Sequence, residues 1–247
     1  MEAFLDVTIL PQPDLTTCGP TCLHAVYQYY GDDIPLAKVI DEVKSLETGG
    51  TLDVFLACHA LRRGYKVRIY TYNLQVFDPT WFLHDPDYIK ARLLAQMEAK
   101  DDEKLHLASR GYLDFLNLGG ELRFADLTPA LLRKYLKCSI PVLTGLSSTY
   151  LYRSMREYGD LCEDDDVRGY PSGHFVLLCG YNRPDRLVAI ADPLMGNPMS
   201  THQNYEVSID RVICSILLGI VTYDANLLII EPHRKNGHNS VTPAVIA

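Results

Sequence analysis

The chain has 247 residues, of which 47% are hydrophobic and 22% charged, and this is enough to bury one sizeable core in a single domain spanning 1–247. Its net charge of −8 disfavours nucleic acid and anionic membrane surfaces as partners, since neither attracts an acidic protein. Seven cysteines without paired spacing are typical of a reducing compartment, and the first residues lack the pattern of a secretory signal, so a cytoplasmic location is expected.

The first third of the chain is dominated by helical periodicity. Apolar residues recur at helical spacing after Cys18, and Gly31 is expected to end this first helix. The pattern then predicts a second helix capped by Asp32 and Asp33 and running to about Leu46, a third with Thr51 as N-cap and Gly64 as its end, and a strand at Lys66–Tyr70.

Residues 73–125 are predicted to form an insertion that is mostly helical. Its clearest helical pattern is Tyr88–Met97, and the mixed charged run Lys100–Lys104 is interpreted as the solvated end of that helix. At the other end of the chain, the residues from about 233 onward are polar and small, and a loose tail is expected there.

The second half is richer in strands. Thr128 and Pro129 are expected to begin a helix that runs to Leu136. The pattern predicts strands at Pro141–Leu146, His174–Tyr181, Leu187–Ala191, Tyr205–Val207 and Leu227–Ile230, and a buried helix at Ile209–Leu218.

Cys18 has the local setting of a reactive thiol. It lies in the run TTCGPTCL, where Gly19 allows a tight turn and Pro20 fixes a helical backbone angle in the first turn. The positive end of a helix dipole favours thiolate over thiol, and thiolate is the nucleophilic form. The alternative is that Cys18 is a small buried apolar residue in front of an ordinary helix.

His174 and Asp192 can complete a site around this cysteine. His174 begins one predicted strand and Asp192 follows the next, so an antiparallel hairpin would bring the two side chains together. A thiol needs a base, and the imidazole needs a third group that orients it. Gln12 could donate an N–H to the oxyanion of a tetrahedral intermediate, although it could equally be a polar loop residue.

Together these segments resemble the papain-like cysteine peptidases of the bacteriocin-processing, double-glycine leader type. The matching elements are Gln12, TTCGPTCL at Cys18, SGHFVLLCGY at His174 and ADP at Asp192. The resemblance implies an α+β papain-like fold in which a helical lobe packs against an antiparallel sheet. It also implies that Cys18 is the nucleophile, His174 the general base and acid, Asp192 the orienting carboxylate and Gln12 the oxyanion donor.

The expected activity is hydrolysis of a peptide or amide bond in a peptide or protein substrate, with no cofactor. The chain has neither a long apolar stretch nor a phosphate-binding loop, so a stand-alone soluble member of the group is expected rather than the exporter. Two alternatives remain open: acyl or peptidyl transfer by the same triad, and a non-catalytic peptide-binding domain.

The acidic segment 159–166 could be a binding loop that favours Lys or Arg near the scissile bond, or a merely solvated loop. Cys18 and Cys22 form the one close cysteine pair, which is insufficient for a structural zinc site, and a buried Cys22 beneath the helix is the preferred interpretation. No metal site is expected, and the sequence does not indicate an oligomeric state.

Overall fold

A computed structural model describes residues 3–47, 49–159 and 161–233. The predicted tail therefore lies outside the described residues, apart from its first position. The α-helices are α1 (Cys18–Tyr29), α2 (Leu36–Glu42), α3 (Asp53–Arg62), α4 (Pro86–Ala99), α5 (Glu103–Asn117), α6 (Pro129–Leu136), α7 (Ser148–Tyr152) and α8 (Ile209–Leu218).

The strands of the described part form one large sheet and one small hairpin. They are β1 (Ala3–Phe4), β2 (Tyr65–Thr71), β3 (Glu121–Arg123), β4 (Val142–Ser147), β5 (Glu157–Tyr158), β6 (Glu163–Asp164), β7 (Gly173–Asn182), β8 (Leu187–Ala191), β9 (Asn204–Ser208) and β10 (Asn226–Pro232). The large sheet runs β3-β2-β10-β4-β7-β8-β9, with β1 paired to β7, and β5 pairs with β6. All its pairs are antiparallel except β2 with β3.

The helical lobe packs directly on this sheet. Helix α1 contacts β7 and β4, and α3 contacts β2 and β10. The packed faces are apolar, with Leu23, Val26, Leu56 and Ala60 almost completely buried. Burial of these faces is the main favourable contribution to folding. The predicted α+β architecture, a helical lobe on a largely antiparallel sheet, is confirmed.

Two helix starts differ from the prediction. Helix α2 follows Pro35 without a side-chain cap, so neither Asp32 nor Asp33 caps it, and it ends at Glu42, before the predicted Leu46. The carboxylate of Asp32 instead accepts hydrogen bonds from Arg63 and Tyr65. The N-cap of α3 is Leu52, since the hydroxyl of Thr51 donates to the carbonyl of Lys44 over 2.7 Å. In both cases a tertiary contact takes the side chain that local capping rules would use.

The charged run at 100–104 separates two helices and is not a simple helix end. The carboxylate of Asp102 accepts a 2.9 Å hydrogen bond from the Leu105 N–H and caps α5, which the sequence pattern did not predict as a separate helix. Helix α4 extends beyond the predicted Tyr88–Met97 at both ends. None of the helices in the described ranges has the length and apolar character needed to cross a bilayer.

Candidate active site

The strand β7 leaves part of its edge open to α1. Its pairing with β4 begins at Gly173, whereas its pairing with β8 begins only at Leu177. The backbone N–H of Phe175 donates to the sulfur of Cys18, and the Cys22 thiol donates to the Phe175 carbonyl over 3.3 Å. The two cysteines of α1, one helical turn apart, therefore form hydrogen bonds with the backbone of β7 at a point where β8 does not pair with it.

Cys18 is the first residue of α1 and is 9% exposed. The N–H groups in the first turn of a helix have no helical acceptor, so they point toward this end and favour negative charge. Burial raises the pKa of the Cys18 thiol, but the charge of His174 and hydrogen bonds from His174, Phe175 and Gly19 outweigh burial. The pKa of Cys18 is therefore lower than that of an ordinary thiol.

His174 connects Cys18 to a buried carboxylate. Its Nε2 donates to Oδ1 of Asp192 over 2.8 Å, which leaves Nδ1 for the hydrogen bond with Cys18. Burial lowers the pKa of this imidazole, but the Cys18 thiolate and Asp192 together raise it to about 10. The pKa values of the two groups are thus displaced in opposite directions, which favours a thiolate and an imidazolium at neutral pH.

Asp192 has no solvent exposure and accepts several hydrogen bonds. Burial raises its pKa, but the hydrogen bond and charge of His174, with hydrogen bonds from Tyr205 and the Leu194 N–H, lower it below the usual carboxyl value. Tyr152 also donates to this carboxylate, over 2.7 Å. Asp192 is therefore ionised beside His174 across the neutral range.

The structure brings Cys18, His174 and Asp192 together and places Gln12 on an adjacent loop. The Gln12 backbone N–H donates to the carbonyl of Pro193 over 2.9 Å, so the loop that precedes α1 is fixed against the loop that follows Asp192. The side-chain Nε2 of Gln12 donates to the carbonyl of Asp14 over 2.8 Å. Its role as an oxyanion donor stays a prediction.

Sequence reasoning missed Tyr152 and Tyr205, the two side chains that contact Asp192 from α7 and β9. Tyr152 lies at the end of a short helix without a periodic pattern, so nothing local marks it. Tyr205 pairs with Ile190 in the β8–β9 ladder, close to Asp192 along β8. This register could have indicated that Tyr205 lies near Asp192, but only if the pairing of β9 with β8 were already known.

Within the described residues, no group of three or more His, Cys, Asp or Glu side chains is arranged to hold a metal ion. All seven cysteines are free thiols. Cys22 is completely buried, as predicted, and burial raises its pKa well above that of an ordinary thiol. The two cysteines of α1 thus differ sharply in chemical character although they lie one turn apart.

The chain matches no protein-family model and no curated protein. It is similar in structure to a double glycine motif protease from an AMS/PCAT transporter, solved in complex with the leader peptide, with a TM-score of 0.46 and 14% identity over 94% of this chain and 96% of that one. It is also similar to the peptidase domain of Streptococcus ComA, a bifunctional ABC transporter involved in quorum sensing, with a TM-score of 0.43 and 14% identity over 92% and 99%.

At 14% identity and with TM-scores below 0.5, these two likenesses carry no conclusion about this chain. Evidence on the chemistry of this chain comes from the geometry and the charges of Cys18, His174 and Asp192.

Proposed function

We propose that this protein is a cysteine peptidase or amidase that hydrolyses a peptide or other amide bond through a thioester on Cys18. The observation that supports this proposal most directly is the arrangement of Cys18 beside His174, whose Nε2 donates to the buried carboxylate of Asp192 over 2.8 Å. In this arrangement the pKa of the thiol is lowered and that of the imidazole is raised. A nucleophile with a lowered pKa, a base in contact with it and a third group that orients the base are the requirements of covalent acyl transfer.

In the first step, the Cys18 thiolate attacks the carbonyl carbon of the substrate and forms a tetrahedral intermediate. When this intermediate collapses, the C–N bond breaks and His174 transfers its proton to the departing amine. The acyl group remains on sulfur as a thioester. Neutral His174 then removes a proton from water, which attacks the thioester and releases the carboxylic acid and the Cys18 thiolate.

Two N–H groups are candidates for stabilising the negative oxygen of the tetrahedral intermediate. The backbone N–H of Cys18 lies at the start of α1, where no helical carbonyl is available to it. The Gln12 side chain lies on the loop joined to Pro193, and its amide would have to turn from Asp14 toward the oxyanion. Donors of this kind act most strongly when they are fixed before the reaction.

Asp192 acts through His174 in this proposal. Its hydrogen bond to Nε2 fixes the tautomer in which Nδ1 faces the sulfur, and its charge stabilises the imidazolium. Replacement with asparagine would keep much of the shape and remove the charge. Asp192→Asn should therefore lower activity less than loss of the nucleophile.

The same thioester could react with an amine instead of water, which would make the protein an acyl or peptidyl transferase. No described residue selects between these two acceptors. A non-catalytic peptide-binding domain is disfavoured, because such a domain has no use for a lowered thiol pKa beside a raised imidazole pKa.

The test is incubation with a mixed peptide library, followed by mass spectrometry of products and of intact protein. Cys18→Ala is expected to abolish turnover and acylation of the protein. Cys58→Ala is the matched control, since Cys58 is likewise a buried free cysteine on a helix, and its thiol donates to the backbone carbonyl of Gly111 at 3.7 Å. Free acid products indicate hydrolysis, and products that contain both the acyl group and an added amine indicate transfer. Turnover that persists in Cys18→Ala would refute the proposal.

A further inference from the structure

The carboxylate of Asp192 is held by four hydrogen bonds from four different residues. Oδ1 accepts from Nε2 of His174 over 2.8 Å and from the Leu194 N–H over 2.9 Å. Oδ2 accepts from the hydroxyls of Tyr152 over 2.7 Å and Tyr205 over 2.6 Å. Oδ1 therefore accepts from the imidazole and from one backbone N–H, whereas Oδ2 accepts from the two phenols.

We propose that Tyr152 and Tyr205 are positioning residues that keep Asp192 ionised and fix the plane of its carboxylate against His174. This inference rests on the proposed function, because it concerns the orienting group of the same site. Neither tyrosine contacts the reacting sulfur in this proposal. Both act on Cys18 through Asp192 and His174.

The tyrosines are needed because water cannot replace them. Asp192 is completely buried, and an ionised carboxylate removed from water is costly unless hydrogen-bond donors surround it. Bonds from a hydroxyl to a charged oxygen are short and about twice as strong as neutral ones. Without the two phenols, Oδ2 would be a buried charge without a donor, and protonation of the carboxyl would become easier.

Both phenols remain donors across the working pH range. Burial and the charge of Asp192 raise the pKa of Tyr152 and Tyr205 far above that of an ordinary tyrosine, so neither hydroxyl ionises. The two rings also come from different elements, α7 and β9. Hydrogen bonds from outside β7 therefore fix the position of the carboxylate. The ring of Tyr152 also lies beside that of His174, with centroids 6.1 Å apart.

Of the other ionisable groups around the site, Asp53 of α3 changes charge nearest to neutrality, because burial raises its pKa to about 7. The pKa of Cys22 is raised well above its ordinary value by burial and by Cys18 and Asp192. Burial and the charge of Asp53 raise the pKa of Asp224, which interacts with Cys18 from the loop before β10, well above its ordinary value. Arg211 of α8 contacts α7 through a hydrogen bond to the Leu151 carbonyl. A loss of thiolate well below pH 7 therefore reports on the triad itself.

The experiment measures the rate of Cys18 alkylation by iodoacetamide from pH 3 to pH 9, with a substrate assay beside it. The variants are Tyr152→Phe, Tyr205→Phe and the pair together, each of which removes only hydroxyl oxygen. Tyr29→Phe is the control, because its hydroxyl also donates a hydrogen bond from a half-buried position, but to the backbone carbonyl of Ser139 at 3.0 Å and not to Asp192. Thermal melts establish that each variant is folded.

We expect the acid limb of the alkylation profile to move to higher pH by about one unit in the double variant, and by less in each single variant. The value of kcat should fall about tenfold for each hydroxyl, with KM nearly unchanged. Tyr29→Phe should keep the wild-type profile. In an Asp192→Asn background, loss of either hydroxyl should leave the position of the limb unchanged, because the ionisation on which the tyrosines act is gone.

Folded variants that keep the wild-type limb would overturn the role of the tyrosines, and so would a shift that persists in the Asp192→Asn background. If Tyr205→Phe does not fold, Tyr152→Phe carries the same expectation. A wild-type Cys18 that shows no reactivity on the acid side would overturn the proposed function together with this inference. The failure of the role proposed for the tyrosines and the failure of the proposed function therefore give different results.

Discussion

The Cys22 thiol donates to the backbone carbonyl of Phe175 across 3.3 Å, and this contact joins the first turns of α1 to the strand that carries His174. The N–H of the same Phe175 donates to the sulfur of Cys18. One residue of β7, directly after His174, therefore contacts both cysteines of α1.

Cys22→Ala should weaken this attachment without removing any reacting group. Loss of a buried hydrogen bond and of one sulfur atom should lower the free energy of unfolding by about 1–3 kcal/mol. Activity should fall far less than in Cys18→Ala. Urea denaturation and a turnover assay measure the two effects. A folded Cys22→Ala protein as inactive as Cys18→Ala would contradict a purely supporting role.

Gln12 offers a test of transition-state stabilisation. Gln12→Ala removes the side-chain amide and should lower kcat about 100-fold or more with little change in KM, as expected for a donor that binds the oxyanion and not the substrate. Gln12→Glu is the matched control for shape, since it retains the length of the side chain but cannot donate when ionised. Near wild-type kcat in both variants would show that Gln12 is only a loop residue.

The acidic hairpin β5–β6 leads to a prediction about specificity. The segment leaves the site after Tyr152 and returns at Gly173, directly before His174. Glu163, Asp164 and Asp166 are exposed, whereas Asp165 accepts hydrogen bonds from the Arg168 side chain and from local N–H groups. Exposed negative charge attracts positive groups, and salt weakens this attraction.

A positional-scanning peptide library should therefore show a preference for Lys or Arg near the scissile bond. The variant in which Glu163, Asp164 and Asp166 are replaced by their amides should lose about two- to tenfold of this preference. Asp101→Asn, which removes an exposed acid between α4 and α5, should not change it. A wild-type protein without any basic preference would reject the idea that this hairpin selects substrate.

A pair of buried carboxyls lies near the site, formed by Asp53 of α3 and Asp224 before β10. Asn226 donates to Asp53 over 2.7 Å, and the Thr222 hydroxyl donates to Asp224 over 2.8 Å. Burial raises the pKa of Asp53 to about 7, and burial together with the charge of Asp53 raises the pKa of Asp224 well above its ordinary value. The folded protein therefore holds protons that the unfolded chain releases near pH 4.

Because the native state binds more protons than the unfolded state, the free energy of unfolding should fall as pH rises from about 4 through 7. Asp224→Asn keeps an acceptor for Thr222 and removes one of the two acids. When the pH rises from 5 to 8, the free energy of unfolding of Asp224→Asn should increase relative to that of wild type by at least about 1 kcal/mol. Urea denaturation at both pH values measures this. A relative loss at pH 8 would contradict the assignment.

Helices and strands that depend on contacts between nearby residues could be predicted from the sequence. Helix α6 begins after Thr128 as expected, because the Thr128 hydroxyl accepts from the Leu131 N–H and no other element takes it. The strand at Leu187–Ala191 and the helix at Ile209–Leu218 also lie where the pattern placed them. The approach of His174 to Asp192 could be predicted for the same reason, since one short hairpin connects them.

Contacts between distant segments could not be predicted in this way. The central position of β10 between β2 and β4 depends on pairing across most of the chain. Tyr152 and Tyr205 reach Asp192 from different elements, and no spacing in the sequence links the three residues. Asp32 has the right chemistry for a helix cap, but Arg63 binds it instead. Each of these depends on tertiary packing, which overrides a local preference.

The central claim is that Cys18 and His174 form a charged pair, and the most direct test is the alkylation rate of every cysteine across pH in wild type and in His174→Ala. Cys18 alone should react fast well below the ordinary thiol pKa of about 8.5, and it should lose this advantage when His174 is removed. If Cys18 instead titrates as an ordinary buried thiol in both proteins, the pair does not exist and the proposed catalysis fails.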